Sequence, residues 1–395
     1  MSTAPLNIGP GGLPPPSAAE REHSERLVAN LVHAIAEAEG WISFADYMQA
    51  ALYAPGLGYY AAGARKLGAE GDFVTAPELT PLFGRALSAQ VAQVLAQVAD
   101  GEMIEVGPGS GSLAADVLTI LAEQNALPAR YLLLEVSPDL RERQRRHLAT
   151  RIPEFMPQVA WIDTLPERWS GALIANEVLD AVPVHLVVRR DGEWFERGVT
   201  ADATVGLTFR DRPLSDGALR NMAQARFPPG GDYASELNPA AEALVTTLGL
   251  RCDRGLMLFV DYGFPAGEYY HPQRDAGTLM AHRRHRALAD PFYYPGLSDL
   301  SAHVDFSAMA RAGVAAGMTV AGFATQAQFL LASGLLNGLA RCGDPESVAY
   351  LRAASAVQRL TSTAEMGELF KVLALTRGLD IELIGFREGD RSHRL

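Results

Sequence analysis

Short, continuously apolar runs alternate with helical patterns between residues 102 and 184, and this alternation limits the possible folds more than any other feature. Helical patterns cover Ser112–Gln124 and Pro138–Thr150, and the apolar runs lie at 103–107, 130–136, 159–162 and 172–175. Strands that are apolar along their whole length and separated by helices indicate a parallel sheet covered on both faces. The sequence therefore predicts an α/β protein.

The first apolar run leads into the glycine-rich segment Glu105–Leu113, EVGPGSGSL, which opens a predicted helix. Glycines allow a tight turn and let the backbone approach a ligand closely. The helix N-terminus adds unpaired amides and a partial positive charge. A turn of this kind can hold a dinucleotide phosphate, a nucleoside cofactor or no ligand at all.

Two details favour a nucleoside cofactor. The spacing is GxGxG with Glu105 two positions before the first glycine, and Glu135 ends the next strand, where a carboxylate can accept hydrogen bonds from both ribose hydroxyls. Acids in both places suit a cationic nucleoside such as S-adenosylmethionine better than an anionic pyrophosphate, because Glu105 would bias the field toward the amino and sulfonium charges. NAD binding is the second interpretation, and a purely structural turn is the third. The predicted cofactor-binding residues of this region are Gly107, Pro108, Gly109, Ser110, Gly111, Glu135, Val136 and Ser137.

The ends of the third and fourth strands carry further polar residues. Asp163 can contact an adenine amino group or serve as a turn acid, and Asn176 begins the segment NEVLD. Ligands of open α/β sheets lie at the carboxyl ends of the strands, so the methyl acceptor is expected here. Glu177 and Asp180 would share one face of a first helical turn and could clamp a planar guanidinium. A helix start with acids that favour its dipole is an equal alternative.

Beyond residue 184 the order changes. The pattern predicts β-hairpins over His185–Arg210, a buried strand over Gly255–Asp261, and a long functional loop that reaches Asp305 and contains His285 and His303. It also predicts two helices and three strands, at 305–317, 326–339, 319–323, 370–374 and 381–386.

Charge and composition exclude several functions. The chain of 395 residues has a net charge of −12, which makes it a poor general binder of nucleic acid and favours a cationic partner such as a basic peptide. Its two cysteines, Cys252 and Cys342, have no metal-binding spacing, so no metal is predicted. No segment has the ~18 apolar residues that a membrane-spanning helix needs. Residues 1–18 are interpreted as a flexible tail without a targeting signal, which predicts a cytoplasmic protein.

Nine segments together resemble the MidA-like family of S-adenosylmethionine-dependent methyltransferases. They run in order across nearly the whole chain after the tail: GDFVTAPELTPLFG (71–84), EVGPGSGSL (105–113), LLLEVSPDLRERQ (132–144), ANEVLDAVPV (175–184), LFVDYG (258–263), GTLMAHRRH (277–285), DPFYYPGLSDLSAHVDF (290–306), TQAQFLLASGL (325–335) and MGELFKVLAL (366–375).

The resemblance implies a Rossmann-like class I methyltransferase sheet with helices on both faces, an N-terminal helical segment and inserted α+β segments. The loop from Asp72 to Glu78, with Asp72, Thr75 and Pro77, is then expected to close over the cofactor. The expected layout is a tail, an N-terminal helical region, a methyltransferase core and two inserted cap regions. Their residue ranges are 1–18, 19–100, 101–184 with 254–265 and 366–390, and 185–253 with 266–365.

The same resemblance implies methylation of a protein arginine, because the mitochondrial members are complex I assembly factors that methylate an arginine. Carboxylates of Glu177 and Asp180 would hold the guanidinium, and His285 or His303 would accept the proton. Methylation of a small molecule and a non-catalytic, cofactor-binding assembly factor are the alternatives.

Overall fold

A computed structural model describes residues 13–62 and 75–395. The described chain divides into two compact units. Unit 1 contains the described residues of Met1–Phe73 together with Ala181–Ala240 and Tyr270–Ala302. Unit 2 contains the described residues of Val74–Asp180 together with Ala241–Tyr269 and His303–Leu395. No described helix is long and apolar enough to cross a lipid bilayer.

The regular elements are numbered in chain order. The strands of the described residues are β1 (Ile42–Ser43), β2 (Glu102–Val106), β3 (Tyr131–Leu134), β4 (Val159–Ile162), β5 (Trp169–Asn176), β6 (His185–Arg190), β7 (Glu193–Asp202), β8 (Gly206–Pro213), β9 (Tyr233–Leu237), β10 (Cys252–Phe264), β11 (Met280–Arg283), β12 (Arg286–Leu288), β13 (Asp299–Ser301), β14 (Val304–Asp305), β15 (Thr319–Thr325) and β16 (Phe370–Arg377). The α-helices of the described residues are α1 (Ala18–Glu37), α2 (Phe44–Tyr53), α3 (Ala76–Leu79), α4 (Pro81–Leu95), α5 (Ser112–Glu123), α6 (Pro138–Arg151), α7 (Gly217–Arg226), α8 (Pro239–Arg251), α9 (Ala266–Tyr269), α10 (Phe306–Ala315), α11 (Gln326–Ala332), α12 (Leu335–Ala340), α13 (Val348–Thr361) and α14 (Met366–Leu369).

The core of unit 2 is one sheet with the strand order β15-β16-β10-β5-β2-β3-β4, and the short β14 pairs with the end of β10. The pairs β10–β5, β5–β2, β2–β3 and β3–β4 are parallel, and β16 is antiparallel to both of its neighbours. From β2 the chain builds outward through β3 and β4, then returns to place β5 on the other side of β2. This reversal is the topological switch point of the sheet, where α/β proteins bind their ligands.

Apolar side chains bury both faces of this sheet. The middle of β10, Leu256–Val260, is at most 1% exposed at every position, and the helices α4 and α5 contribute Phe83 and Val117 to the same core. Continuous burial along a strand is what a sheet with helices on both faces requires. The α/β fold with a mostly parallel sheet is therefore confirmed.

Among its described residues, unit 1 combines the helices α1, α2 and α7 with antiparallel strands. One of its sheets has the order β1-β7-β6-β9 with β8 beside β7, and the other has the order β12-β11-β13. The N-terminal helical segment that the resemblance implies begins with α1, which has a capping box between Ser17 and Glu20 and buries Leu27, Leu31 and Ile35. These side chains form a separate core with residues of α2.

Three sequence-based expectations differ from the structure. The predicted strand at 381–386 is wrong, since Ile384–Phe386 is a 3₁₀ turn and β15 forms the edge of the sheet. The expected N-terminal region 19–100 is divided, because α1 and α2 belong to unit 1 while α3 and α4 belong to unit 2. The expected cap region 266–365 is divided as well, because β15 joins the central sheet by pairing with β16. Pairings between distant segments leave no local signal in the sequence, which explains these differences.

Candidate functional site

The glycine-rich segment forms the turn between β2 and α5. Gly107, Gly109 and Gly111 have φ values of 64°, 54° and 85°, and Gly111 is the N-cap of α5. L-residues with side chains rarely adopt this left-handed region, so glycine is required here. A Cβ atom at Gly107 would also lie 2.9 Å from Cγ2 of Val178, which follows β5. The turn after β2 and the loop after β5 are thus in close contact at the switch point.

A short helix is tied to this turn. The Ser110 hydroxyl donates a hydrogen bond to the Glu78 carboxylate, and Glu78 belongs to α3. Thr75 is the N-cap of α3, and Pro77 lies in its first turn. The predicted cofactor residues Thr75 and Pro77 therefore lie on an element attached to the glycine turn. Asp72, predicted with them, lies outside the described residues.

Glu105 lies in β2 and is 3% exposed, with the Tyr131 hydroxyl donating to it at 2.7 Å. Burial raises its pKa to about 8, and the nearby Asp116 adds to the increase. Glu105 therefore keeps its proton near pH 7 in the free protein. The hypothesis that it acts as an anion needs an ionised group, so Glu105 would have to lose this proton when a cationic ligand binds.

Glu135 follows β3 and is 7% exposed. Its carboxylate accepts hydrogen bonds from the Ser137 N–H at 2.8 Å and from the Gln144 side-chain amide at 3.1 Å, while burial raises its pKa. The next residue, Val136, is 68% exposed although it is apolar. A fixed carboxylate beside an exposed aliphatic side chain suits a ribose with an attached base.

Gln144 was not found by sequence reasoning. It is fully buried on α6, and its amide also donates to the Gly109 carbonyl at 2.9 Å and accepts from the Trp161 indole at 2.9 Å. One signal was available, since Gln144 and the buried Leu148 lie four residues apart on the inward stripe of α6. Asp163, which follows β4, lies nearby with Arg141 at 3.9 Å, and its side chain is 73% exposed.

The loop after β5 is not helical, so the predicted helical turn at Glu177–Asp180 is wrong. Glu177 has a φ of 53°, and its N–H donates to the Val260 carbonyl at 2.8 Å. The next three N–H groups, of Val178, Leu179 and Asp180, all donate to Oδ2 of Asp261, at 3.1, 2.9 and 3.3 Å. These donors turn toward a carboxylate of the neighbouring strand β10 and so do not begin a helix.

Three carboxyl groups share this corner of unit 2. Burial raises the pKa of Glu177 to about 8, and Asp180 adds to the increase, while the Asn176 side chain and the Ala76 N–H oppose it. Burial and both neighbouring carboxylates also raise the pKa of Asp261, against the effect of the N–H groups that it accepts. Such a cluster favours a cation, because a positive charge would allow these groups to ionise together.

Aromatic rings border the acids. The Tyr262 hydroxyl donates to Asp180 at 2.5 Å, and the Tyr262 ring meets the His303 ring edge-on at 5.2 Å. The Phe264 ring stacks on the His303 ring with the two centroids 5.2 Å apart. His303 is thus one aromatic ring away from Asp180. Asp261 and Tyr262 were not predicted as site residues, and the only signal was an acid at the end of the strand that follows β5 in the sheet.

His285 is placed differently. It lies in the turn between β11 and β12 of unit 1, with an exposed side chain and a φ of 61°. Its predicted role as a proton acceptor stays a prediction.

Comparison with known proteins identifies the family. Residues 84–324 match the model of a family described as "Putative S-adenosyl-L-methionine-dependent methyltransferase". The chain belongs to this methyltransferase family. A relative in Caenorhabditis elegans, named protein arginine methyltransferase NDUFAF7 homolog, mitochondrial, is 30% identical over 74% of this chain and 73% of its own length. The Drosophila melanogaster protein of the same name is 28% identical over 94% of this chain and 92% of its own length.

A similar protein has been solved with a bound ligand. A superfamily member from Burkholderia thailandensis, bound to S-adenosyl-homocysteine, is 47% identical, covers 97% of this chain and all of its own, and has a TM-score of 0.93. The chain is therefore an S-adenosylmethionine-dependent methyltransferase, and the predicted cofactor is confirmed.

The residues of unit 2 fit this cofactor. Oδ1 of Asn176 is buried, and no described residue pairs with it, so it can accept a hydrogen bond from a ligand at the switch point. Glu135 and Val136 can hold the ribose and the base, and Asn176 with the glycine turn can hold the amino-acid end. Among the described residues, no group of three or more metal-ligating side chains could hold a metal ion.

Proposed function

We propose that this methyltransferase transfers a methyl group to an arginine side chain of a protein. The observation that carries the proposal is the group of three acids, Glu177, Asp180 and Asp261, at the carboxyl ends of adjacent strands beside the glycine turn. A guanidinium is a planar cation with five donors, and paired carboxylates are its preferred partners. The arginine methyltransferase names of the relatives support the same acceptor.

The acids act on the acceptor before and during transfer. S-Adenosylmethionine, when bound, supplies a methyl group on a positively charged sulfur, which keeps the electron pair of the broken bond. Glu177, once ionised, orients the guanidinium and draws its positive charge away from the attacking nitrogen. Asp180 is held by Tyr262 and adds negative charge at the same place. Fixed geometry accounts for much of the acceleration in such a reaction.

The methylated nitrogen must then lose a proton. His303 is the candidate acceptor, because its ring lies against Tyr262, whose hydroxyl is bonded to Asp180. A water molecule can complete the path between the nitrogen and the imidazole.

The identity of the acceptor protein is a second, more specific proposal. We infer that it is a subunit of respiratory complex I, as the resemblance to the MidA-like family implies, and that the chain acts in assembly of that complex. The cytoplasmic location predicted from the sequence stays a prediction.

Mass spectrometry tests the proposal directly. Complex I subunits would be purified from cells with and without this protein, and recombinant enzyme would then treat the unmethylated subunits with isotope-labelled S-adenosylmethionine. Transfer to an arginine is expected with the wild type, and it should fall at least about tenfold in Glu177→Gln, which cannot carry the negative charge. Glu154→Gln, an exposed acid of unit 2, is the matched control and should keep full activity.

The other outcomes separate the alternatives. Turnover of a small molecule without any peptide would contradict a protein acceptor. Tight cofactor binding and partner capture with no methyl mark would indicate a non-catalytic assembly factor. Full transfer by Glu177→Gln would contradict the role given to this carboxylate.

A further inference from the structure

Gln144 connects three parts of the cofactor region through one side-chain amide. Its Nε2 donates to the Gly109 carbonyl at 2.9 Å and to Oε2 of Glu135 at 3.1 Å. Its Oε1 accepts from the Trp161 indole N–H at 2.9 Å. The glycine turn, the acid after β3 and the strand β4 are therefore joined by a residue that is itself fully buried.

The bonding pattern requires an amide. Both hydrogens of Nε2 are used, and the oxygen faces the Trp161 indole N–H, which can donate a hydrogen bond but cannot accept one. Only one orientation of the amide therefore satisfies all three partners. A glutamate at this position would have no donor for the Gly109 carbonyl or the Glu135 carboxylate. A methionine of similar length would leave all three partners without their bond.

The Gln144 bond also determines what Glu135 can still accept. A carboxylate offers about four acceptor positions, two on each oxygen. Ser137 uses one position on Oε1 and Gln144 uses one on Oε2. The Val136 N–H also stabilises this carboxylate, and the remaining acceptor capacity of Glu135 is available to the adjacent hydroxyls of a ribose.

We propose that Gln144 is a positioning residue for the cofactor: it holds the Glu135 carboxylate in the orientation that receives both ribose hydroxyls. Its bond to Gly109 links that carboxylate to the glycine turn, so the ribose end and the amino-acid end of the site keep a fixed separation. The inference concerns the cofactor alone and does not depend on the proposed acceptor.

Calorimetry with two ligands tests this role. S-Adenosylhomocysteine and its 2′-deoxy analogue would be titrated into the wild type, Gln144→Met and Gln90→Met. Gln90 is a suitable control, because it is also a fully buried glutamine of unit 2 with both ends of its amide bonded, to Gln93 and to the Gly385 N–H. It has no described contact with the glycine turn or Glu135.

The expected result is a change in the ratio of two affinities. Gln144→Met should bind S-adenosylhomocysteine about tenfold or more weakly, since a hydrogen bond to a charged group is disturbed. The analogue should lose much less, so the preference for the 2′-hydroxyl should shrink. Gln90→Met should keep both affinities. Trp161→Phe provides a milder second variant, because it removes only the indole N–H that holds the amide, and it should shift the ratio in the same direction.

Two results would overturn the inference. One is an unchanged affinity of Gln144→Met for S-adenosylhomocysteine. The other is an equal loss for both ligands, since general loosening of the fold would not distinguish a ribose from a deoxyribose.

Discussion

At the scale of single residues, two glutamates of unit 2 keep protons that glutamates in water would lose. Glu105 and Glu177 both have pKa values raised to about 8, with burial as the largest cause. Glu105, just before the glycine turn, accepts a hydrogen bond from Tyr131. Glu177 lies in a loop with Asp180 beside it. A bound cation would favour loss of either proton. From their positions we assign Glu105 to cofactor binding and Glu177 to acceptor binding.

The pKa of Glu177 leads to a pH dependence of the reaction. Only the ionised carboxylate can neutralise a guanidinium, so kcat/KM for an arginine peptide should rise about tenfold per pH unit below pH 8 and level off above it. The measurement is methyl transfer between pH 6 and 9.5 at saturating cofactor, which removes the contribution of Glu105. In Glu177→Gln the residual rate should lose this rise. A rate that is constant from pH 6 to 9 in the wild type would contradict the assignment.

At the scale of elements, the loop after β5 depends on the strand beside it. Asp261 of β10 is 1% exposed and receives three consecutive N–H groups of the loop through one oxygen, while its other oxygen receives the Tyr262 N–H at 2.9 Å. The left-handed conformation of Glu177 is kept by this arrangement. Unusual backbone conformations persist at functional sites when their surroundings determine them.

Asp261→Asn tests this dependence. The amide has one acceptor oxygen, so either the loop N–H groups or the Tyr262 N–H must face an NH₂ group. We expect a loss of about 1–3 kcal/mol in the free energy of unfolding and a fall of at least about tenfold in methyl transfer from the displaced Glu177. Affinity for S-adenosylhomocysteine, measured by calorimetry, should change little.

Asp253→Asn is the control on the same strand. Asp253 lies at the other end of β10, where its exposed carboxylate pairs with Arg168, and its replacement should leave transfer unchanged. Normal transfer by Asp261→Asn would show that the loop does not need the carboxylate.

At the scale of the whole molecule, raised pKa values make stability depend on pH. Burial raises the pKa of Asp116, Glu135 and Asp261 as well as those of Glu105 and Glu177, all in unit 2. The folded state then holds protons that the unfolded state releases near pH 3.8 from an aspartic acid and near pH 4.5 from a glutamic acid. The stabilising contribution of Glu105 and Glu177 is complete below pH 4.5 and is lost as the pH rises toward about 8.

The melting temperature without cofactor should therefore fall between pH 6 and pH 9, by about 2–4 °C for each kcal/mol lost. Scanning fluorimetry across this range measures the slope. Glu177→Gln should show a shallower slope, because the amide does not titrate, whereas Glu154→Gln should follow the wild type. The net charge of −12 acts on both variants nearly equally. A melting temperature that rises from pH 6 to 9 would contradict the prediction.

The amino-acid sequence by itself determined the α/β class, the glycine turn and the acid after β3. These features are local, because apolar runs, helical periodicity and glycine spacing involve residues that lie within about twenty positions of one another in the chain. Gly107, Gly111 and Glu135 could be identified for this reason. The acids Glu105 and Glu135 already favoured S-adenosylmethionine, and the family resemblance implied the same cofactor.

The tertiary structure decided the rest of the site. Asp261 lies 84 positions after Glu177 in the chain, and only the pairing of β10 with β5 brings its carboxylate to the loop that was predicted as a helix. In the sequence, Gln144 is one of several polar residues of a charged helix, and only the fold places its amide between Gly109 and Trp161. A hydrogen bond between segments that are distant in the chain follows no sequence periodicity or spacing, because it forms only once the strands have paired in the folded protein.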